Sequence, residues 1–184
     1  KLKTDPELVP VRSVQEQLIA TGAYIMPFTD VKRDDPHWAA IQRTGAAGIL
    51  KGVGKAEGWA NKLFFYPDSL ADPLEVSIGF RGIGYTIVPN NRRFPRFNQN
   101  TIEGLFKYLR IFRPFIFKPA FATCRDIDGF REIWNKAGLS NFQPARKITR
   151  RELAVIIDEC THLFNNKNLP LSLEGRYQFR YSTF

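Results

Sequence analysis

Apolar residues recur at helical spacing along much of the chain, in stretches separated by proline and glycine. Between Val11 and Ile25 they fall at Val11, Val14, Leu18 and Ala23, which predicts a short opening helix that stops at Gly22. In "DPHWAAIQRTGAAGI" Asp35 is placed to cap a helix with Pro36 at its first position, and Trp38, Ile41 and Ala46 to Ile49 form the buried face. Ile102, Leu105, Phe106, Leu109 and Phe112 make another stripe, closed by Pro114, and Leu153, Ile156, Ile157, Cys160, Leu163 and Phe164 make the longest. Val76, Phe80, Ile83 and Ile87 also fit a helix, but Gly79, Gly82 and Gly84 weaken it, so the end of that segment reads as helix or strand.

The punctuation repeats as well. Five residues after Pro67, Pro95 and Pro144 stand Asp72, Asn100 and Thr149, and three residues after each stands a glutamate: Glu75, Glu103 and Glu152. Each set has the form of a capping box, in which the cap side chain accepts from the amide three residues on while the glutamate reaches back. An aromatic (Phe65, Phe94, Phe142) precedes each proline, and Ala47-Gly48-Ile49 and Ala137-Gly138-Leu139 close the helical stretches upstream of the first and third sets. Units of this size cannot bury their own apolar faces, so the repetition predicts small helical units packed on one another.

Composition adds a bias in charge. The chain of 184 residues is 43% hydrophobic, enough for a core, and carries a net charge of +9. Residues 92–151 hold 14 Lys/Arg against four acids, Glu103, Asp126, Asp128 and Glu132. That surplus draws polyanions: nucleic acid, acidic polysaccharide or anionic headgroups. Cys124 and Cys160, the only cysteines, are two buried thiols or one disulfide. No run approaches the length of a membrane span. The start at Lys1, without a leader, reads as a segment of a longer protein.

Catalytic patterns are poorly matched. "GFRGIG" has the wrong glycine offsets for a dinucleotide fold, and "GVGKAEG" lacks the first glycine and the Ser/Thr of a phosphate loop. His37, His162 and Cys160 match no zinc spacing, and Asp34, Asp35, Asp126 and Asp128 read as helix caps. No metal or cofactor is expected in this segment. In "NNRRFPRFNQ" and "LFKYLRIFRPFIFKP" cations interleave with aromatics, which keeps a single-stranded nucleic-acid module as an alternative. Against it, Phe106 and Phe112 lie on an apolar stripe, with Lys107, Arg110 and Arg113 on another side.

Phe28-Thr-Asp30-Val31, His37-Trp38 with Ile41, Ala47 to Gly52, Phe65-Tyr-Pro67 and Thr149-Arg-Arg-Glu152 together resemble the S-layer homology repeat. The first copy carries Asp-Pro-Leu-Glu where the family has Thr-Arg-Ala-Glu, and the third lacks the tryptophan. The resemblance implies a mainly α domain of degenerate helix-loop-helix repeats in a pseudo-threefold bundle, with room for a few short strands. The copies would lie near 27–88, 89–118 and 119–165, with a tail over 166–184. It also implies a groove for acidic cell-envelope polysaccharide, onto which Thr149, Arg150 and Glu152 match residue by residue, with Trp38 as a sugar-stacking face; beside the motif, Arg151, Arg146 and Lys147 would add cationic contacts. Over about the first 75 residues, "VRSVQEQLIATGAYI" running into "PFTDV" is similar to the junction after the catalytic part of secreted bacterial FAD-dependent oxidoreductases, a family often labelled putative xanthan lyase, with residues 1–26 as the linker and tail of that upstream part. This implies a secreted, periplasmic or surface-associated accessory domain that packs on an upstream flavin-binding part. Thr149 and Glu152 are accounted for by helix initiation, which leaves Arg150 and Arg151 as the motif residues free for a ligand.

Overall fold

In the computed structural model, which describes residues 11–84, 96–111, 117–161 and 163, the longest apolar stripe forms a largely buried helix that ends at Cys160, with Thr161 extended and Leu163 beyond the helix. This helix, Arg150–Cys160, has Leu153 to Ile157 and Cys160 all buried. Burying a Leu or Ile side chain contributes about 1.5–3 kcal/mol, so this run alone anchors the core.

The described elements are, in chain order, α1 (Val11–Ala20), α2 (Trp38–Ala46), β1 (Val53–Glu57), β2 (Ala60–Phe64), α3 (Pro73–Gly84), α4 (Ile102–Leu109), α5 (Pro119–Ala122), α6 (Ile127–Lys136) and α7 (Arg150–Cys160). Helix α2 packs on α1 and α7, and α6 packs on α4, α5 and α7. Helix dominates, with one two-stranded antiparallel sheet among the described residues.

Three glycines end helices as the sequence leads one to expect. Gly22, Gly48 and Gly138 have φ of 80°, 79° and 77°. At each the glycine amide and the one after it donate back to carbonyls of the last turn, as in Gly48 N to Gly45 O and Ile49 N to Thr44 O. The left-handed conformation costs a side-chain-free residue little, which is why glycine marks these stops.

Several expectations need correction. Among the α1 side chains described, Ile19 is buried and Leu18, expected on the apolar face, is exposed. The helix belongs to the same body as the rest: Glu16 pairs with Arg43 of α2, and the Gln42 side chain accepts from the amides of Ile25 and Met26 and donates to the Met26 carbonyl. Asp35 does not cap α2, which begins at Trp38. Its carboxylate accepts from the His37 amide and forms a turn just ahead of the helix. The glycine-bearing segment is helical through Gly84. A Cβ on Gly79 would sit 2.3 Å from the Ile49 carbonyl oxygen, so the glycine that weakens the helix also lets α3 approach the turn after α2. Ile87, Phe94, Phe112, Arg113, His162, Phe164 and the tail 166–184 lie outside the described residues.

Of the three expected capping boxes, one forms completely. The Thr149 hydroxyl accepts from the Glu152 amide at 3.3 Å, and the Glu152 carboxylate accepts from the Thr149 amide at 2.9 Å. Asp72 caps α3 by accepting from the Leu74 amide, but Glu75 makes no reciprocal bond and faces Arg150. At α4 the cap moves one residue on: Thr101 accepts from Gly104, and Glu103 pairs with Lys107 on the exposed side. Asn100 is released from capping. Its side-chain amide donates to the carbonyls of Ala71 and Ile148, each four residues after a motif proline.

The loops before these helices exchange hydrogen bonds in one recurring way. The first two amides of α7, Arg150 and Arg151, donate to the carbonyls of Ser69 and Pro67. The first two amides of α4, Ile102 and Glu103, donate to those of Arg146 and Pro144. In both cases the acceptors are a motif proline and the residue two beyond it. Helix-start amides otherwise left without partners are thus satisfied by a neighbouring unit.

Candidate functional site

The expected ligand contacts cluster around the start of α7, and most of them are committed to the fold. Arg150 occupies the first helical position and is only 6% exposed. Its guanidinium donates to the carbonyls of Phe65 (2.6 Å) and Lys51 (2.8 Å), pairs with Glu75, and lies 4.9 Å from the Phe65 ring centroid. All three groups come from residues 51–75, so Arg150 ties the first unit to the third. The view that the fold leaves Arg150 free is corrected by this burial: a guanidinium engaged on this many sides offers no fork to a ligand carboxylate.

Arg151 is half-buried and bridges Asp35 and Asp68. Burial disfavours the Asp35 carboxylate, but the hydrogen bond and charge of Arg151, with the His37 amide, outweigh it and hold its pKa below the ordinary value. Arg146 forms a two-pronged pair with Glu152 at 2.7 and 3.1 Å and covers the Trp134 ring at 5.7 Å. It braces the capping box. Lys147 is exposed, and of the four expected cations it alone has a head group with no ion pair among the described residues.

Trp38 is buried and meets the Tyr24 ring edge to face at 5.4 Å, so it serves as core and presents no sugar-stacking face. Asp30, matched to the repeat motif, accepts from the amides of Phe65 and Tyr66 at 2.7 and 2.6 Å and fixes the loop that Arg150 grips.

Polar residues that sequence reasoning passed over hold this arrangement. Gln42 is fully buried; it lies four residues after Trp38 on the same helix face, and that position was a usable signal. Arg43 forms a two-pronged pair with Asp158 at 2.7 and 2.8 Å, joining α2 to α7, and no local pattern marks it.

Two concavities lie among the described residues near these groups. A recess of about 260 Å³ lies between Gly48–Ile49 and the start of α3, bordered by Lys51, Asp72, Leu74, Glu75 and Ile78. An open cleft of about 500 Å³ lies along α5 and α6, bordered by Thr123, Cys124, Arg125, Asp126, Glu132 and Lys136. Arg110 donates to the Arg125 carbonyl beside this cleft. Asp126 caps α6 by accepting from Gly129, as expected, but Asp128, also expected as a cap, lies inside the helix and pairs with Arg131. Cys124 and Cys160 are both free thiols, and burial raises the pKa of each. Among the described residues no group of three or more His, Cys, Asp or Glu is placed to hold a metal ion, and no helix is long and apolar enough to cross a membrane.

No family model matches the chain, and comparisons with curated proteins and with solved structures return no match either.

Proposed function

We propose that the chain is a non-catalytic accessory domain of degenerate S-layer-homology-like repeats, which holds a secreted FAD-dependent oxidoreductase at an acidic polysaccharide of the cell envelope. The observation that carries this reading is the fate of the acids in the basic half. Glu103 pairs with Lys107, Asp128 with Arg131, and Asp126 caps α6, while Glu132, the fourth acid, is exposed with no ion pair among the described residues. Arg96, Arg110, Arg125, Lys136 and Lys147 are exposed and form no ion pair among the described residues. Cations left in water attract polyanions over about a Debye length and release counterions on contact. The recurring exchange of helix-start hydrogen bonds, with Asn100 joining two equivalent carbonyls, supports the repeat architecture and its pseudo-threefold arrangement.

The binding role passes from Arg150, Arg151 and Arg146 to these five exposed cations, of which Lys147 alone belongs to the expected set. Affinity electrophoresis through gels containing polygalacturonate tests it, with neutral dextran as the control. Retardation by the acidic polymer alone is expected. Equal migration in both gels, or stronger binding to a single-stranded oligonucleotide than to polygalacturonate, contradicts the reading.

Packing on the catalytic part is supported by a separate observation: Leu74 and Ile78, one turn apart on α3, are more than half exposed beside the smaller recess. Binding of a hydrophobic dye by the isolated chain, lost in the variant Leu74→Ser, Ile78→Ser, is the expected result. Equal dye binding by both proteins argues against it.

A further inference from the structure

The β1–β2 hairpin contributes little to the core and carries side chains that folding does not explain. All five residues of β1 are exposed, and β2 joins the body mainly through Leu63, whose carbonyl accepts from the amide and hydroxyl of Thr29. Gly58, with φ of 62°, permits a two-residue turn and places Trp59 at the tip. Trp59 is 99% exposed, whereas Trp38 and Trp134 are buried. A tryptophan held in water forgoes the largest apolar burial that one residue can supply.

The charges of the hairpin also work against folding. The register sets Lys55 directly opposite Lys62 on one face, and like charges so placed destabilise a strand pair. Lys62 is relieved by Glu57 at 2.6 Å. The Lys55 ammonium lies 5.9 and 5.2 Å from the ring centroids of Phe64 and Tyr66, which stack on each other at 5.6 Å. The outer face thus presents a fixed cation on a stacked aromatic pair, and the tip carries a bare indole about 10 Å further along the strands.

We infer that this hairpin is a second contact for acidic polysaccharide, with Trp59 stacking on a sugar ring and Lys55 meeting its carboxylates. The inference rests on the polysaccharide reading above and adds a site outside the repeat motifs. A polymer suits the layout because its charge and its apolar ring faces recur along its length, as cation and indole do here. Glu57 and Asn61 flank the tip, so a single large apolar side chain projects there, which favours a sugar face over insertion among lipid chains.

The test uses the full chain. Because Trp59 is the exposed tryptophan among the described residues, acrylamide quenching reports chiefly on it. Polygalacturonate is expected to shift the emission to the blue and shield it from acrylamide. Trp59→Ala is expected to weaken retardation in polygalacturonate gels about fivefold, with its melting temperature unchanged. If wild type and Trp59→Ala are retarded equally, the hairpin contact is overturned and the polysaccharide reading stands. If wild type is not retarded, both fall. A blue shift with phosphatidylglycerol vesicles and none with polygalacturonate overturns the assignment in favour of a lipid surface.

Discussion

Glu75 and Arg150, 75 residues apart in the sequence, form an ion pair whose guanidinium is buried against the Phe65 ring. The glutamate of one would-be capping box is thereby held by the arginine of another. Removing one partner of such a pair leaves the other charge without compensation. Arg150→Ala is therefore expected to cost about 3 kcal/mol in urea unfolding. Arg150→Lys should recover only part of this, since an ammonium cannot reach Glu75 and two carbonyls in the same plane. A loss below about 1 kcal/mol, the range of exposed ion pairs, would show that the fold does not depend on Arg150.

Asn100 separates two roles by one substitution. As a helix cap it would tolerate Asp, which caps equally well. Its side-chain amide instead donates to Ala71 and Ile148. Asn100→Asp replaces a donor with an acceptor facing two carbonyls, so it should destabilise the protein by about 2 kcal/mol. Thr101→Ala should cost about 1 kcal/mol by removing the true cap of α4. Melting curves of both variants check the order of the two effects.

Asp35 gives a pH dependence of known sign. Its pKa in the folded chain lies below the ordinary value. The stability it contributes is therefore fully present above the unfolded pKa of about 3.9 and lost as pH falls through the folded value. Denaturation midpoints between pH 5 and 2 should fall less steeply for Asp35→Asn than for wild type. Parallel curves would mean that the Arg151 pair contributes nothing in solution.

The two cysteines should differ in access. Burial raises the pKa of both thiols, Cys160 being fully buried and Cys124 only partly so. Thiol titration without reductant should show slow modification of Cys124 in the native chain and both thiols in urea. Failure of either thiol to appear in urea would indicate the disulfide that the sequence left open.

What the sequence made legible was local. The stripes of α4 and α7, the glycine stops and the Asp126 cap each depend on residues within a turn or two of one another; the stripes lie where the pattern places them as far as Leu109 and Cys160, after which Thr161 is extended and Leu163 is off the helix. The α3 segment was ambiguous because its glycines serve a distant partner, the backbone at Ile49, which no local window contains. The same limit applies to the site. Arg150 and Arg151 looked free because the acceptors of their guanidinium groups lie 75 to 116 residues away. Capping chemistry explained Thr149 and Glu152, and only tertiary structure explains the arginines between them.

The central claim is that exposed cations of the basic half hold an acidic polymer while the motif arginines hold the fold. Retardation in polygalacturonate gels of the variant Arg125→Ala, Lys136→Ala, Lys147→Ala measures this most directly. All three side chains are exposed, so the variant should melt as wild type does while losing most of its retardation. Undiminished retardation in a folded triple variant would contradict the claim.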